Sequence, residues 1–230
     1  MLNKNTDEFP DLGEIKYWVF DLDNTLYSHE TDLFTQVDHN MGLFIQEMFG
    51  VSYTEAKKRQ KHFFMNYGTT LRGLMSEHGV DPYEYLEFVH DIDFTVLKVN
   101  EVLNEALAEL PGEKFIYTNA STNYAKNVLS HIGLEGGFKD IFDIHDAKFL
   151  PKPDMRSYHK MLKKFAIDPN VSIMIEDIAG NLNPAAELGM TTVWLPTNTH
   201  WSDNGQNKEN IDHTVADLSH WLKNIVSAAK

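Results

Sequence analysis

The sequence predicts an α/β fold: a doubly wound parallel sheet, Rossmann-like in its alternation, with an all-helical segment inserted into it. Short apolar runs alternate with amphipathic helical segments from residue 115 onward, which is typical of parallel sheets. The runs are also continuously apolar, which suits strands that are covered by helices on both faces. Strands are expected at residues 17–20, 114–117, 141–144, 171–175 and 191–195.

The insert is predicted from what separates the first two strands. Residues 28–99 hold almost nothing typical of a strand, and their apolar residues recur at helical spacing. In the first helix of this segment, Asp32 is expected to be the N-cap and Gly50 the terminator. We call residues 28–99 the helical insert. The sequence therefore predicts two domains, an α/β core of residues 1–27 and 100–230, and the helical insert.

Composition excludes several classes of protein. The chain has 230 residues, of which 42% are hydrophobic, so it can bury a substantial core. It has no cysteine, which excludes disulfides and thiolate chemistry. Its net charge of -14 disfavours binding to nucleic-acid polymers or to anionic membranes. No apolar run approaches the roughly 20 residues of a membrane span, and the polar start is unlike a signal peptide. We expect a cytoplasmic protein, monomeric or homodimeric.

Polar side chains follow three of the predicted strands. They are Asp21 and Asp23, Thr118 and Asn119, and Glu176 and Asp177. Because ligands of doubly wound sheets bind outside the carboxyl ends of the strands, these side chains are expected to share one site. Helix capping could explain any one of the pairs, but it does not account well for all three.

This set of residues indicates phosphoryl chemistry. Clustered carboxylates repel one another without a cation, and hard oxygen ligands suit Mg²⁺. Lys152, held between two prolines, adds a fixed positive charge. A carboxylate can also attack phosphorus and form an aspartyl-phosphate intermediate. A metal, a lysine and a hydroxyl around carboxylates are the components of a phosphoryl-transfer site.

Four motifs in order resemble those of the haloacid dehalogenase superfamily. They are "DLDNT" from Asp21, "YTNA" from Tyr117, "KP" from Lys152 and "EDIAGN" from Glu176. The resemblance extends from about residue 16 to residue 195. It implies that the α/β core is that of the superfamily and that the helical insert is a cap of the C1 type, which closes over the substrate.

The resemblance also implies a role for each motif residue. Asp21 would be the nucleophile. Asp23 would protonate the leaving oxygen and then activate water against the aspartyl-phosphate. Thr118 and Lys152 would bind the transferring phosphoryl group.

A Mg²⁺ ion completes the implied site. By the same resemblance, its direct ligands would be Asp21, the backbone carbonyl of Asp23 and Asp177. Glu176 would act through a water molecule.

Asp23 separates the branches of the superfamily. Haloacid dehalogenases lack this second acid, so the resemblance favours a phosphatase, although phosphomutases share Asp23 and remain possible. A catalytically silent sensor of a phosphorylated metabolite is a further alternative. Response-regulator receivers carry similar residues in a different order and have no insert.

The insert resembles that of the pyrimidine 5'-nucleotidase branch. The similar segments are "DLDNTLY", "YGTTLRGL", "FVHDIDF", "FIYTNA" and "EDIAGNLNPAAELGMTTV". This resemblance implies a small phosphomonoester substrate, a nucleoside monophosphate. A sugar-phosphate or phosphoglycolate phosphatase is the alternative.

Five residues are candidates for substrate binding. They are Tyr67, Thr69, Thr70, Arg72 and Asn119. Arg72 could bind a phosphate or a base carbonyl, or it could form an ion pair with a neighbour such as Glu77. Tyr67 could stack on a base or belong to the core of the insert.

Overall fold

A six-stranded parallel sheet organises the described part of the chain. The computed structural model describes residues 15–199 and 201–228, so residues 1–14 of the predicted core domain and the predicted polar start lie outside the described residues. The order of the strands in the sheet is β3-β2-β1-β4-β5-β6. The strands are β1 (Tyr17–Phe20), β2 (Glu113–Tyr117), β3 (Asp140–Phe142), β4 (Ser172–Glu176), β5 (Thr191–Trp194) and β6 (His213–Thr214). The predicted fold class is confirmed.

Helices cover both faces of this sheet because successive side chains of each strand point in opposite directions. In β1, Trp18 and Phe20 belong to one buried cluster and Val19 to another. The first cluster includes side chains of α5 (Glu101–Glu109), α6 (Thr122–His131) and α9 (Leu218–Ala228). The second includes side chains of α7 (Met155–Phe165) and α8 (Leu182–Glu187).

Two details of the sheet differ from the sequence prediction. Strand β3 ends at Phe142, not at residue 144, because the Asp143 carboxylate accepts hydrogen bonds from the amides of His145 and Asp146 and turns the chain. Strand β6 was not predicted at all. It has two residues, His213 and Thr214, which are too few to produce a recognisable apolar pattern.

The helical insert contains four α-helices between β1 and β2. They are α1 (Leu33–Phe49), α2 (Tyr53–Tyr67), α3 (Thr70–His78) and α4 (Pro82–Val89). Helix α1 packs against α2 and α4, and α2 packs against α3. Asp32 is the N-cap of α1 and Gly50 ends the helix in the left-handed conformation, as predicted, although the side chain of Asp32 makes no capping hydrogen bond. Apolar residues of the insert and of the sheet share one buried cluster. The division into two domains stays a prediction.

The strand order determines where the site forms. Strands β2, β1 and β4 are neighbours, and Phe20 is in register with both Ile116 and Ile175. The residues that follow these three strands therefore meet at one edge of the sheet. Within the described ranges, no helix is both long and apolar enough to cross a membrane.

Candidate active site

Lys152 and Asp21 form a buried ion pair at the carboxyl edge of the sheet. The Asp21 amide continues the β1 ladder by donating to the Ile175 carbonyl at 2.9 Å, which fixes Asp21 at the end of the strand. The Lys152 ammonium lies 2.6 Å from Asp21 Oδ1, 2.7 Å from Glu176 Oε1 and 2.9 Å from the Tyr117 carbonyl. Lys152 is only 2% exposed, so these three acceptors, and not water, stabilise its positive charge.

Three buried acids could hold a metal ion. Carboxylate oxygens of Asp21, Glu176 and Asp177 all lie within 4.8 Å of one another. Glu176 is the most engaged, because Oε1 accepts from Lys152 and from the Asn181 amide, and Oε2 accepts from the Ile178 amide. Asp21 and Asp177 are therefore the acids better placed to bind a cation directly.

The buried acids of this cluster outnumber the positive charges beside them, and their pKa values reflect this. Burial, opposed by Lys152, raises the pKa of Asp21 to about 7, with Glu176 and Asp23 adding to the rise. Burial, then Glu176 and Asp21, hold the pKa of Asp177 well above its ordinary value. Burial disfavours the charged form of Lys152, but Asp21 and Glu176 raise its pKa overall. One ammonium does not neutralise this many carboxylates, so the donor set and its charge fit Mg²⁺.

Two tyrosines hold Asp23, and neither was predicted from the sequence. The hydroxyl of Tyr27 donates to Asp23 Oδ1 at 2.5 Å, and that of Tyr124 donates to the same oxygen at 2.7 Å. Burial raises the pKa of Asp23, although these two hydrogen bonds oppose the rise. Tyr27 lies four residues after Asp23 and could have been found from that spacing. Tyr124 comes from the distant helix α6, so no local signal indicates it.

Thr118 and Asn119 follow β2 and lie at the same edge. The buried Thr118 hydroxyl accepts a hydrogen bond from the Ala120 amide at 3.0 Å. The side-chain oxygen Oδ1 of Asn119 accepts a hydrogen bond from the backbone amide of Lys152 at 2.8 Å. Asn119, a candidate for substrate binding, therefore also positions the loop that carries Lys152.

A cavity of about 600 Å³ lies between this edge of the sheet and the helical insert. It brings together most of the residues singled out in the sequence. These are Asp21, Asp23, Thr118, Asn119, Lys152, Glu176 and Asp177 from the core, and Thr69 and Thr70 from the insert.

Tyr67 and Arg72 are not among the described residues that line this cavity. The Tyr67 hydroxyl interacts with Glu77, which raises its pKa. The Arg72 guanidinium lies 3.0 Å from the Asp154 carboxylate, in an ion pair with a neighbour other than Glu77.

The polar segment at residues 201–212, for which the sequence indicates no function, supports the site. The Ser202 hydroxyl donates to the Asp177 carbonyl at 2.7 Å, and the Ser202 carbonyl accepts from the Ala179 amide. A Cβ atom at Gly180 would lie 2.5 Å from the Asn204 carbonyl, so this close approach requires glycine.

The fold and the site define an α/β protein whose acidic centre lies at the carboxyl edge of a parallel sheet, beneath a helical insert. The chain belongs to the haloacid dehalogenase-like hydrolase family, whose sequence model matches residues 18–195. The predicted superfamily is thereby confirmed.

Proteins that are similar to this chain include phosphatases. Phosphate metabolism protein 8 of Saccharomyces cerevisiae is 24% identical over 193 residues, which are 76% of this chain and 60% of that protein. Glyceraldehyde 3-phosphate phosphatase of Pyrococcus furiosus is 23% identical over 231 residues, with 92% and 93% of the two chains covered. A crystal structure of an HAD phosphatase from Thermococcus onnurineus has a TM-score of 0.63 at 18% identity, covering 92% of this chain and 98% of that one.

Proposed function

We propose that this chain is a Mg²⁺-dependent phosphomonoester hydrolase that works through a phosphorylated Asp21 and acts on nucleoside 5'-monophosphates. The observation that carries the proposal is the buried contact of 2.6 Å between Asp21 and Lys152 at the end of β1. A carboxylate in this position faces the cavity, and Lys152 both orients it and adds positive charge beside the phosphoryl group that it would attack.

The acidic cluster and the resemblance to the superfamily together support one set of metal ligands. Asp21, Asp177 and the backbone carbonyl of Asp23 would hold Mg²⁺, with Glu176 acting through water. When bound, Mg²⁺ would neutralise charge on the carboxylates and on the phosphoryl oxygens.

In the first half-reaction, an oxygen of Asp21 attacks phosphorus and the bond from phosphorus to the ester oxygen breaks. Asp23 donates its proton to that leaving oxygen, so the alcohol departs neutral. Tyr27 and Tyr124 both bind Oδ1 of Asp23, which leaves Oδ2 as the oxygen that carries the proton. The raised pKa of Asp23 suits it to this role of general acid.

In the second half-reaction, the ionised Asp23 removes a proton from a water molecule that attacks the phosphorus of the aspartyl-phosphate. The bond between phosphorus and the Asp21 oxygen breaks, which releases phosphate and restores the carboxylate. Thr118 and Lys152 hold the phosphoryl group by hydrogen bonding and charge in both steps. The helical insert acts as the cap that keeps other water out of the cavity.

Asp23 is also the reason for proposing a phosphatase within a family named for dehalogenases. A departing halide needs no proton, whereas an alkoxide leaving from phosphorus does. Two tyrosines that hold this carboxyl would have little purpose in a dehalogenase or in a silent sensor.

The size of the cavity and the resemblance to nucleotidases support the proposed substrate class. A cavity of about 600 Å³ lies within the usual range for whole small-molecule ligands, roughly 300–1,000 Å³. A second candidate is a small sugar phosphate, because the relative named as a glyceraldehyde 3-phosphate phosphatase covers nearly the whole chain. A three-carbon ester would leave much of the cavity unfilled.

Phosphate release from a panel of esters tests the proposal. The panel contains uridine and cytidine 5'-monophosphates (UMP and CMP), adenosine 5'-monophosphate, ribose 5-phosphate, glyceraldehyde 3-phosphate and phosphoglycolate. We expect Mg²⁺-dependent release with the highest kcat/KM for the pyrimidine nucleotides, and no turnover by Asp21→Asn. Near-normal turnover by Asp21→Asn would exclude the aspartyl-phosphate, and a preference for glyceraldehyde 3-phosphate would favour the second candidate.

A further inference from the structure

The helical insert contributes a second polar cluster to the same cavity. The Asp38 carboxylate of α1 is its centre: Lys57 donates to Oδ2 at 2.6 Å, and the Gln60 amide nitrogen donates to Oδ1 at 2.7 Å. Thr70 and Tyr85 lie beside this group, and all five residues line the cavity. We call these five residues the insert subsite. None of them takes part in the chemistry at Asp21.

Two buried polar atoms of the insert subsite have no hydrogen-bond partner among the described residues. They are the side-chain carbonyl oxygen of Gln60 and the hydroxyl of Tyr85. Gln60 is 7% exposed and Tyr85 only 1% exposed. Thr70 neighbours the Tyr85 hydroxyl, but without the geometry of a hydrogen bond. Because unpaired buried polar atoms are destabilising, two of them on residues that line one cavity point to a ligand that pairs with both.

The orientation of Gln60 decides which partner it requires. The Asp38 carboxylate can only accept hydrogen bonds when ionised, so the amide nitrogen of Gln60 must face it. The carbonyl oxygen of Gln60 is thereby left as an acceptor that needs a donor from the ligand. The Tyr85 hydroxyl is free to donate to an acceptor of the ligand. The missing partner is a group that carries an N–H or O–H beside an acceptor.

We infer that the insert subsite binds the Watson–Crick edge of the nucleobase, with Gln60 accepting from a base N–H and Tyr85 donating to the adjacent acceptor. This inference rests on the proposed function, since the base is part of the leaving group of the proposed substrate. Uracil offers N3–H beside a carbonyl oxygen, and cytosine offers its amino group beside N3, so either base satisfies both residues.

The rest of the lining favours a base over a sugar. Phe34, Phe64 and Trp201 contribute aromatic surface to the cavity, as does the ring of Tyr85. A planar base has apolar faces and a polar edge, which matches apolar walls that surround a few polar atoms. A sugar or a three-carbon chain is polar on all sides and would leave these aromatic rings without a matching surface.

The substitution Tyr85→Phe tests the inference because it removes only the unpaired hydroxyl. We expect kcat/KM for UMP and CMP to fall about tenfold or more, and that for ribose 5-phosphate, which has no base, to stay within about twofold. The melting temperature should stay the same or rise, because a buried unpaired group is lost. Gln60→Met should give the same selective loss for nucleotides. Tyr53→Phe is the matched control: its hydroxyl contacts His39 outside the cavity lining, and both substrates should be unaffected.

The outcomes separate this inference from the proposed function. If Tyr85→Phe leaves UMP hydrolysis unchanged, or lowers hydrolysis of ribose 5-phosphate equally, the subsite does not bind the base. If the wild-type chain hydrolyses none of these esters, the proposed function fails. In that case, calorimetric titration with UMP tests the insert subsite by itself. Weaker binding of UMP to Tyr85→Phe than to the wild type would support the subsite. No binding to the wild type, or equal binding to both proteins, would overturn it.

Discussion

The guanidinium of Arg72 lies 3.0 Å from the carboxylate of Asp154, and this ion pair joins the helical insert to the α/β core. Asp154 is the N-cap of α7 and follows Lys152 by two residues, so the pair connects the insert to the segment that carries Lys152. Arg156 binds the same carboxylate from within the core. The position of the insert is thus coupled to that of the Lys152 loop.

Replacing Arg72 by alanine should therefore affect all substrates alike. The ion pair is partly exposed, so we expect its loss to lower kcat/KM by roughly two- to tenfold for both UMP and ribose 5-phosphate. Arg156→Ala is the matched control, because it removes a partner of Asp154 without releasing the insert. A loss confined to nucleotides would show instead that Arg72 binds the base, which is one of the alternatives that the sequence left open.

Asp23→Asn should separate the two half-reactions. We expect turnover of UMP to fall by about 10²–10⁴-fold, because both the proton donor and the base are lost. With p-nitrophenyl phosphate the leaving group needs little protonation, so one equivalent of nitrophenol should appear rapidly before slow turnover. Stopped-flow absorbance measures this burst. If the variant retains steady wild-type turnover, Asp23 is not the general acid and base.

Magnesium should stabilise the folded chain even without substrate. At a concentration about 100-fold above its Kd, Mg²⁺ should raise the melting temperature by roughly 5–10 °C. Asp177→Asn should abolish this shift. The metal-free variant should be at least as stable as the wild type, because burial and the neighbouring acids raise the pKa of Asp177 and so oppose its charge. Asp91→Asn, an exposed acid outside the cavity lining, should keep the full shift.

His90 should make stability depend on pH in a defined window. Its ring stacks on Tyr124 with centroids 4.3 Å apart, and burial, with His145 adding, lowers its pKa from 6.5 to about 4. Between pH 6.5 and 4 the unfolded chain binds a proton that the folded chain does not, so stability falls as the pH falls.

The variant His90→Gln should lose part of this dependence. This dependence is measured as the free energy of unfolding from urea titrations between pH 4 and 7. The control is His159→Gln, since His159 is exposed. If wild type and His90→Gln lose stability equally over this range, His90 is not the group responsible.

The sequence predicted the core site well because each motif follows a strand. Asp21 and Glu176 are adjacent to apolar runs of recognisable length, and parallel strands deliver their carboxyl ends to one edge of the sheet. Strand β3 and its end at Phe142 were less well predicted, since the side chain of Asp143 decides where the chain turns. The placement of Arg72 against Asp154 joins residues 82 positions apart, which no local pattern encodes.

By itself, the sequence determined the fold class, the family and the acids, lysine and hydroxyl of the core, because strand periodicity and motif spacing are local properties. Only the tertiary structure decided what holds Asp23 and what the insert presents to the cavity. Tyr124, Gln60 and Tyr85 lie on helices whose periodicity shows which face is buried, but not against what. Their partners, or the lack of them, depend on how α1, α2, α4 and α6 pack, and packing is a property of the whole chain.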